Sequence, residues 1–209
     1  MSFDYRQHIF HSPKFQSVVD EAIAFFDDTP VYPLPPPDSF MGTGVYALYY
    51  GDGQGEFNAY KEITALNQGT LSLPIYVGKA VPPGWRRGRV RETDTPALYR
   101  RLREHARSIQ YATNLEIEAF QCRFMILTDI ESDLVIPVEA EMIRRYAPLW
   151  NTVIDGFGNH DPGSGRYDQA KSEWDVLHPG RPWAARLRGA SPSLKQVMDK
   201  VRQVLSGIS

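Results

Sequence analysis

Cysteine is nearly absent from this chain: Cys122 is the only one in 209 residues. A lone thiol rules out an internal disulfide and any zinc site built from several cysteines. Its place in the apolar run Phe120 to Leu127 marks it as a buried strand residue. Histidine is also sparse, and His8, His11 and His178 show no metal-ligand spacing. No apolar run approaches the ~18 residues of a membrane-spanning helix. The N-terminus, MSFDYRQHIFHS, lacks the basic-then-apolar layout of a signal peptide. Together these absences point to a cytoplasmic protein. Strong charge of either sign is missing as well. The net charge is −2, with 42% apolar and 23% charged residues, as in ordinary globular chains. Internal repeats are lacking, and the length suits one domain with embellishments over residues 1–209, with a real core to bury.

What is present is a local charge pattern. Between Arg86 and Arg107 there are eight arginines and no lysine, against only Glu92, Asp94 and Glu104. Such an excess inside a slightly acidic chain is either a footprint for polyanions or a solvated helix face with its loop.

Hydrophobic periodicity and turn residues organise the chain. Ser12-Pro13 opens a helix to about Phe26, with Ser as N-cap and Pro at the first helical position. The run PVYPLPPPDS, residues 30–39, excludes regular helix and central strand and reads as an extended connector. Gly44 to Tyr50 is a strand of aromatic and β-branched residues. Gly51 to Gly69 begins with turn residues and holds a short helix near Tyr60 to Leu66. Leu73 to Val77 is a second strand, and Pro82 to Thr95 an irregular arginine-rich loop. A helix capped by Asp94 or Thr95 runs from Thr95-Pro96 to about Ser108. Phe120 to Thr128 is a third strand, and Leu134 to Tyr146 a helix ended by Pro148. The stretch 156–188, rich in Gly, Pro and Trp, gives no clear element. Ser191-Pro192 caps a last amphipathic helix to about Leu205.

Two helices carry polar residues on apolar faces. On Leu134 to Tyr146, the residues Val135, Ile136, Met142, Ile143 and Tyr146 form an apolar arc at about 3.6 residues per turn. Glu139 falls inside it, whereas Glu141, Arg144 and Arg145 lie opposite. An ionised carboxylate there needs a partner, either an internal ion pair or a metal. On the helix from Ala97, the stripe Leu98, Leu102, Ala106 and Ile109 includes His105 and is bordered one turn earlier by Arg101. An Arg and a His at i, i+4 can converge on one point. A lone histidine on such a face is equally a hydrogen-bonded core residue.

The two short strands carry the triplets Gly44-Val45-Tyr46 and Tyr76-Val77-Gly78, the latter followed by Lys79-Ala80. They resemble the GIY and YIG elements of the GIY-YIG nuclease superfamily. The ordered set that follows strengthens the resemblance: R-x-x-x-H as Arg101 and His105, then Glu139 on a later helix, then Asn151 in APLWN. The match runs from about 43 to 152, with insertions at about 51–72 and 81–97 and flanks 1–42 and 153–209. It implies an α+β fold, a small three-stranded, mostly antiparallel sheet flanked by helices, with helical extensions at both termini. There are departures. The family joins its triplets by a tight hairpin, whereas 29 residues separate Tyr46 from Tyr76 here. The insertion Val81 to Ala97 makes Arg86, Arg87 or Arg89 alternatives to Arg101, and Arg101 is preferred for its histidine one turn on.

The resemblance is strongest to small Type II restriction enzymes that cut the palindrome CCGCGG. It implies cleavage of both strands of duplex DNA by a homodimer, beside a cognate DNA methyltransferase and away from membranes. Homing and repair endonucleases, and an inactive DNA-binding protein on the same fold, are the alternatives. Glu139 would hold one Mg2+, with Mn2+ as a substitute, since a hard cation accepts one carboxylate and completes its shell with water and phosphate oxygens. Arg101 would neutralise phosphoryl charge. Tyr46 would orient or deprotonate the attacking water, helped by Tyr76 or His105. Asn151 would brace the site and Lys79 contact the scissile phosphate. Arg86, Arg87, Arg89 and Arg91, with Trp85, are the expected DNA readers. Gly158-Asn159-His160-Asp161 reads as an ordinary turn or a DNA-contacting loop rather than a metalloenzyme site.

Overall fold

The computed structural model describes residues 3–51, 57–82 and 94–207. Its elements in chain order are α1 (Pro13–Asp28), β1 (Val31–Pro33), β2 (Gly44–Tyr50), α2 (Lys61–Asn67), β3 (Tyr76–Ala80) and α3 (Ala97–Tyr111). Then follow β4 (Phe120–Ile126), α4 (Val135–Tyr146), α5 (Leu149–Thr152), α6 (Glu173–Leu177) and α7 (Leu194–Leu205). The strands form one antiparallel sheet in the order β1-β4-β2-β3. The fold is α+β, with four strands rather than the three expected. The extra strand is β1, drawn from the proline-rich connector. Proline bars a central strand but not an edge one, and Pro33 lies on the edge opposite Gln121.

Every residue of β2 is buried. That follows from its central place with helices on both faces. Val45, Ala47 and Tyr49 pack with Val77 and Met125 against Val19, Ile23 and Phe26 of α1 and Val135, Val138 and Met142 of α4. Tyr46, Leu48 and Tyr50 point the other way, toward Leu98, Leu102 and Ile109 of α3, and toward Trp150, Phe157 and Trp174. A fully buried Val or Leu stabilises by about 1.5–3 kcal/mol. A one-residue slip of β2 would exchange its two faces. Packing on both sides therefore fixes Tyr46 toward α3.

Several element ends differ from expectation. β3 starts at Tyr76 rather than Leu73, because the backbone N–H and C=O of Leu73 are taken by the Asn67 side chain at 2.9 and 3.0 Å. α3 has no side-chain cap from Asp94 or Thr95. The N–H of Leu98 instead donates to the Gly42 carbonyl at 3.1 Å, and Gly42 N–H to Thr95 O at 2.7 Å. α7 starts from Ser193, not Ser191, with a capping box to Gln196. Ser12 caps α1 as expected. Residues 156–188 are mostly irregular, with short helical turns around α6, but Trp174, Leu177 and Arg181 within them are buried. Among the described residues no helix is long and apolar enough to cross a membrane.

Candidate active site

The β2–β3 pairing sets Tyr46 opposite Gly78. The Tyr46 ring lies across that glycine: a Cβ on Gly78 would stand 2.5 Å from the Tyr46 hydroxyl and 3.0 Å from the Tyr76 ring. The glycine of the second triplet is thus the space that the tyrosine of the first one fills. Tyr76, two residues before Gly78 on the same face, brings its ring centroid to 6.2 Å from that of Tyr46. Tyr46 is fully enclosed, whereas Tyr76 is half-buried and lines a cleft.

α3 supplies the next two groups. His105 sits within the buried stripe, and its Nε2 accepts from the Tyr46 hydroxyl at 2.5 Å. One turn earlier, Arg101 emerges at the stripe's edge beside the Tyr46 hydroxyl. Its Nη1 donates to Glu104 at 3.0 Å and to Nε2 of His160 at 2.7 Å, and its Nη2 to the Gly158 carbonyl at 2.9 Å.

α4 approaches from the opposite face of the sheet. Its core positions are Val135, Val138 and Met142, and Glu139 borders them rather than sitting among them. The Glu139 carboxylate pairs with the Lys79 ammonium of β3. Asn151 closes the arrangement at the sheet edge. Its side-chain oxygen accepts the Val77 N–H at 2.7 Å, and its amide donates to the Val77 carbonyl at 2.8 Å. The carboxamide thereby takes the hydrogen bonds that a neighbouring strand would take.

Tyr76, Lys79, Arg101, Glu139, Glu104 and His160 line a common cleft of about 580 Å³ at the free edge of β3. Burial, then the neighbouring Tyr76, holds the Tyr46 phenol well above the usual tyrosine range, against the lowering pull of Arg101. Burial also raises Tyr76, which Arg101 partly offsets. Burial, then the Arg101 cation, holds His105 well below the usual imidazole range. Tyr46 is therefore a neutral donor and His105 a neutral acceptor, with the imidazole proton on Nδ1.

Six expected residues, Tyr46, Tyr76, Arg101, His105, Glu139 and Lys79, meet at or directly behind this cleft, and Asn151 braces its rim. Arg86, Arg87, Arg89, Arg91 and Trp85 lie outside the described residues. His160 and Arg181 carried no site assignment from sequence, and neither belongs to a periodic element.

Paired tyrosines on neighbouring antiparallel strands, an R-x-x-x-H helix on one face and a glutamate helix on the other place this protein among the GIY-YIG nucleases. The comparison with protein families narrows the class. The family described as the Eco29kI GIY-YIG domain matches residues 38–205, and the chain belongs to it, a family of restriction endonucleases within that superfamily. No curated protein matches the chain.

Proposed function

We propose that the protein is a Type II restriction endonuclease. It hydrolyses both strands of duplex DNA at a GC-rich palindrome, as a homodimer, in the cytoplasm and beside a cognate methyltransferase. The observation that carries this reading is the convergence of Tyr76, Arg101, Lys79 and Glu139 on one open cleft, with the Tyr46–His105 hydrogen bond behind it.

Glu139 is the metal ligand. Among the described residues no group of three or more His, Cys, Asp or Glu is arranged for a metal, so a zinc cage does not fit. A single carboxylate on a cleft that also holds Lys79 and Arg101 fits Mg2+, which would keep most of its waters. The cation supplies charge neutralisation at the phosphate. Lys79 pairs with Glu139, and would be free to contact the scissile phosphate if Glu139 held the cation. Arg101 stabilises charge growing on the phosphoryl oxygens, an effect worth about 3 kcal/mol. Tyr76, on the cleft wall, orients the attacking water. The water's proton passes by way of the two tyrosines to Nε2 of His105, which is neutral at rest and charged only while the phosphoryl anion offsets Arg101, as the new P–O bond forms; the leaving oxygen takes a proton from solvent water as its own P–O bond breaks. The relay answers the raised tyrosine pKa values: neither phenol has to exist as phenolate, since each gains a proton as it gives one up.

The test is digestion of a plasmid of known sequence with Mg2+ and with EDTA. Discrete fragments in Mg2+ and none in EDTA are expected. Glu139→Gln should abolish cutting yet still bind duplex DNA, because the carboxylate holds the cation and not the bases. No cleavage with any divalent cation overturns the reading, and a smear would favour a nuclease without a fixed site.

A further inference from the structure

The stretch that shows no clear element in sequence closes around the active site. Phe157 is buried, stacks on His105 at 4.5 Å and 17°, and meets Tyr76 edge-on at 4.9 Å. The next residue brings its carbonyl to Arg101. A Cβ on Gly158 would stand 2.9 Å from the Tyr76 hydroxyl and 3.3 Å from Arg101 Nη2. A side chain at this position would press on both groups. His160, exposed on the cleft, then accepts from the other terminal nitrogen of Arg101.

This loop is held from behind by a second arginine. Arg181 is buried, and its Nη1 donates to the carbonyls of Phe157 at 3.0 Å and Asn159 at 3.3 Å. Nη2 donates to Gly156 O at 2.9 Å, and Nε to Asp175 at 2.7 Å. The guanidinium lies between the rings of Trp174 and Trp183, at 4.5 and 4.6 Å from their centroids. Three carbonyls within four residues are thus tied to one buried cation.

The consequence falls on Arg101. An arginine side chain carries ~2 kcal/mol of rotamer entropy, and catalysis needs its guanidinium at the place where charge develops. One carboxylate, Glu104, shares Nη1, and it lies on the exposed side where solvent screens it. The Gly158 carbonyl and His160 Nε2 carry no negative charge, so they orient the guanidinium without neutralising it further. We propose that residues 156–160 form a wall of the active site in which His160, with the Gly158 carbonyl, positions Arg101 for the scissile phosphate. His160 is a positioning residue, acting through Arg101. The inference rests on the nuclease reading above.

The experiment compares the full-length wild type with His160→Ala, His160→Gln, Arg101→Lys and the double variant Arg101→Lys/His160→Ala. Four quantities are measured: the single-turnover cleavage rate on a mapped site, duplex affinity without cleavage, the rate relative to affinity, and the thermal midpoint. His160→Ala should lower the rate roughly 10- to 100-fold, as for one lost hydrogen bond to a charged group. Affinity and thermal midpoint should not change, since the side chain is exposed. Glutamine, whose side-chain oxygen can accept the same N–H, should restore most of the rate. In the Arg101→Lys background, His160→Ala should cost nothing further, because the two act as one unit. An unchanged rate in His160→Ala, a loss that multiplies with Arg101→Lys, a loss in affinity alone, or a fall in the thermal midpoint that accounts for it would each overturn the proposal. A wild type that cuts no DNA would instead sink the nuclease reading and this inference with it.

Discussion

Two buried histidines stay neutral for the same physical reason and serve different ends. His105 accepts from Tyr46 beside the cleft, and a proton there would place a second cation against Arg101. His178 accepts from the Tyr60 hydroxyl at 2.7 Å and donates through Nδ1 to Asn114 at 3.0 Å. Burial pushes His178 down to about 3. In the unfolded chain both titrate near ~6.5. As pH falls below that value, the unfolded state binds more protons than the folded one, so stability is lost with acid. The loss from His178 starts near the unfolded pKa and grows until the folded protein itself protonates near 3. The thermal midpoint of the wild type should therefore drop steadily below pH ~6.5. His178→Gln, which does not titrate there, should flatten that slope whatever it does to the midpoint at neutral pH. Equal slopes in the two proteins would show that His178 is not enclosed as described.

At the scale of elements, β3 is the unusual one, an edge strand that carries site residues on both faces. Tyr76 and Gly78 face α3, and Lys79 faces α4. Such an edge must be held without a neighbouring strand, and Asn151 holds it at Val77. Asn151→Ala would leave that backbone unpaired in a half-buried place, at a cost of about 1–3 kcal/mol. Chemical denaturation should show this loss, and cleavage should fall with it because Tyr76 and Lys79 flank the clamped residue. Wild-type stability and cutting in this variant would mean the clamp does nothing. Much of this architecture was readable in the sequence, because α1, α3 and α4 each bury a periodic face and β2 is a continuous run of apolar and aromatic residues. Glu139, Arg101 and His105 stood out as polar groups on or beside such faces. β1 was not readable: a three-residue edge strand among prolines has no alternation to detect. The 156–160 wall was not readable either. Its contacts to Arg101 join residues far apart in sequence, and a glycine-rich loop has no period from which to infer them. Its one sequence signal was His160 itself, next to Asp161 in a turn.

Among the described residues a single cleft brings Tyr76, Arg101, Lys79 and Glu139 together, whereas a palindrome has two scissile phosphates related by a two-fold axis. A closed pair of identical subunits supplies two such clefts with matching symmetry. The described surface also holds a region suited to pairing. The N-terminal arm and the outer face of α1 leave Phe3, Tyr5, Ile9, Phe10, Phe15 and Phe25 exposed, Phe10 at 89% and Phe25 at 62%. Large apolar side chains exposed in this number are a liability on a lone subunit and an asset in an interface. Phe10 is 89% exposed and Phe15 52%, so replacing them tests association at small cost to the fold. Sedimentation of Glu139→Gln, which is expected to bind without cutting, on a duplex that carries the mapped site should give two protomers per site. Phe10→Ser with Phe15→Ser should weaken the second protomer's binding and leave the thermal midpoint of the free chain unchanged. If the arm is not the interface, the pair of substitutions will leave the two-to-one complex intact. A one-to-one complex on the intact site would refute the dimer itself, and a single cleft would then have to cut the two strands in succession.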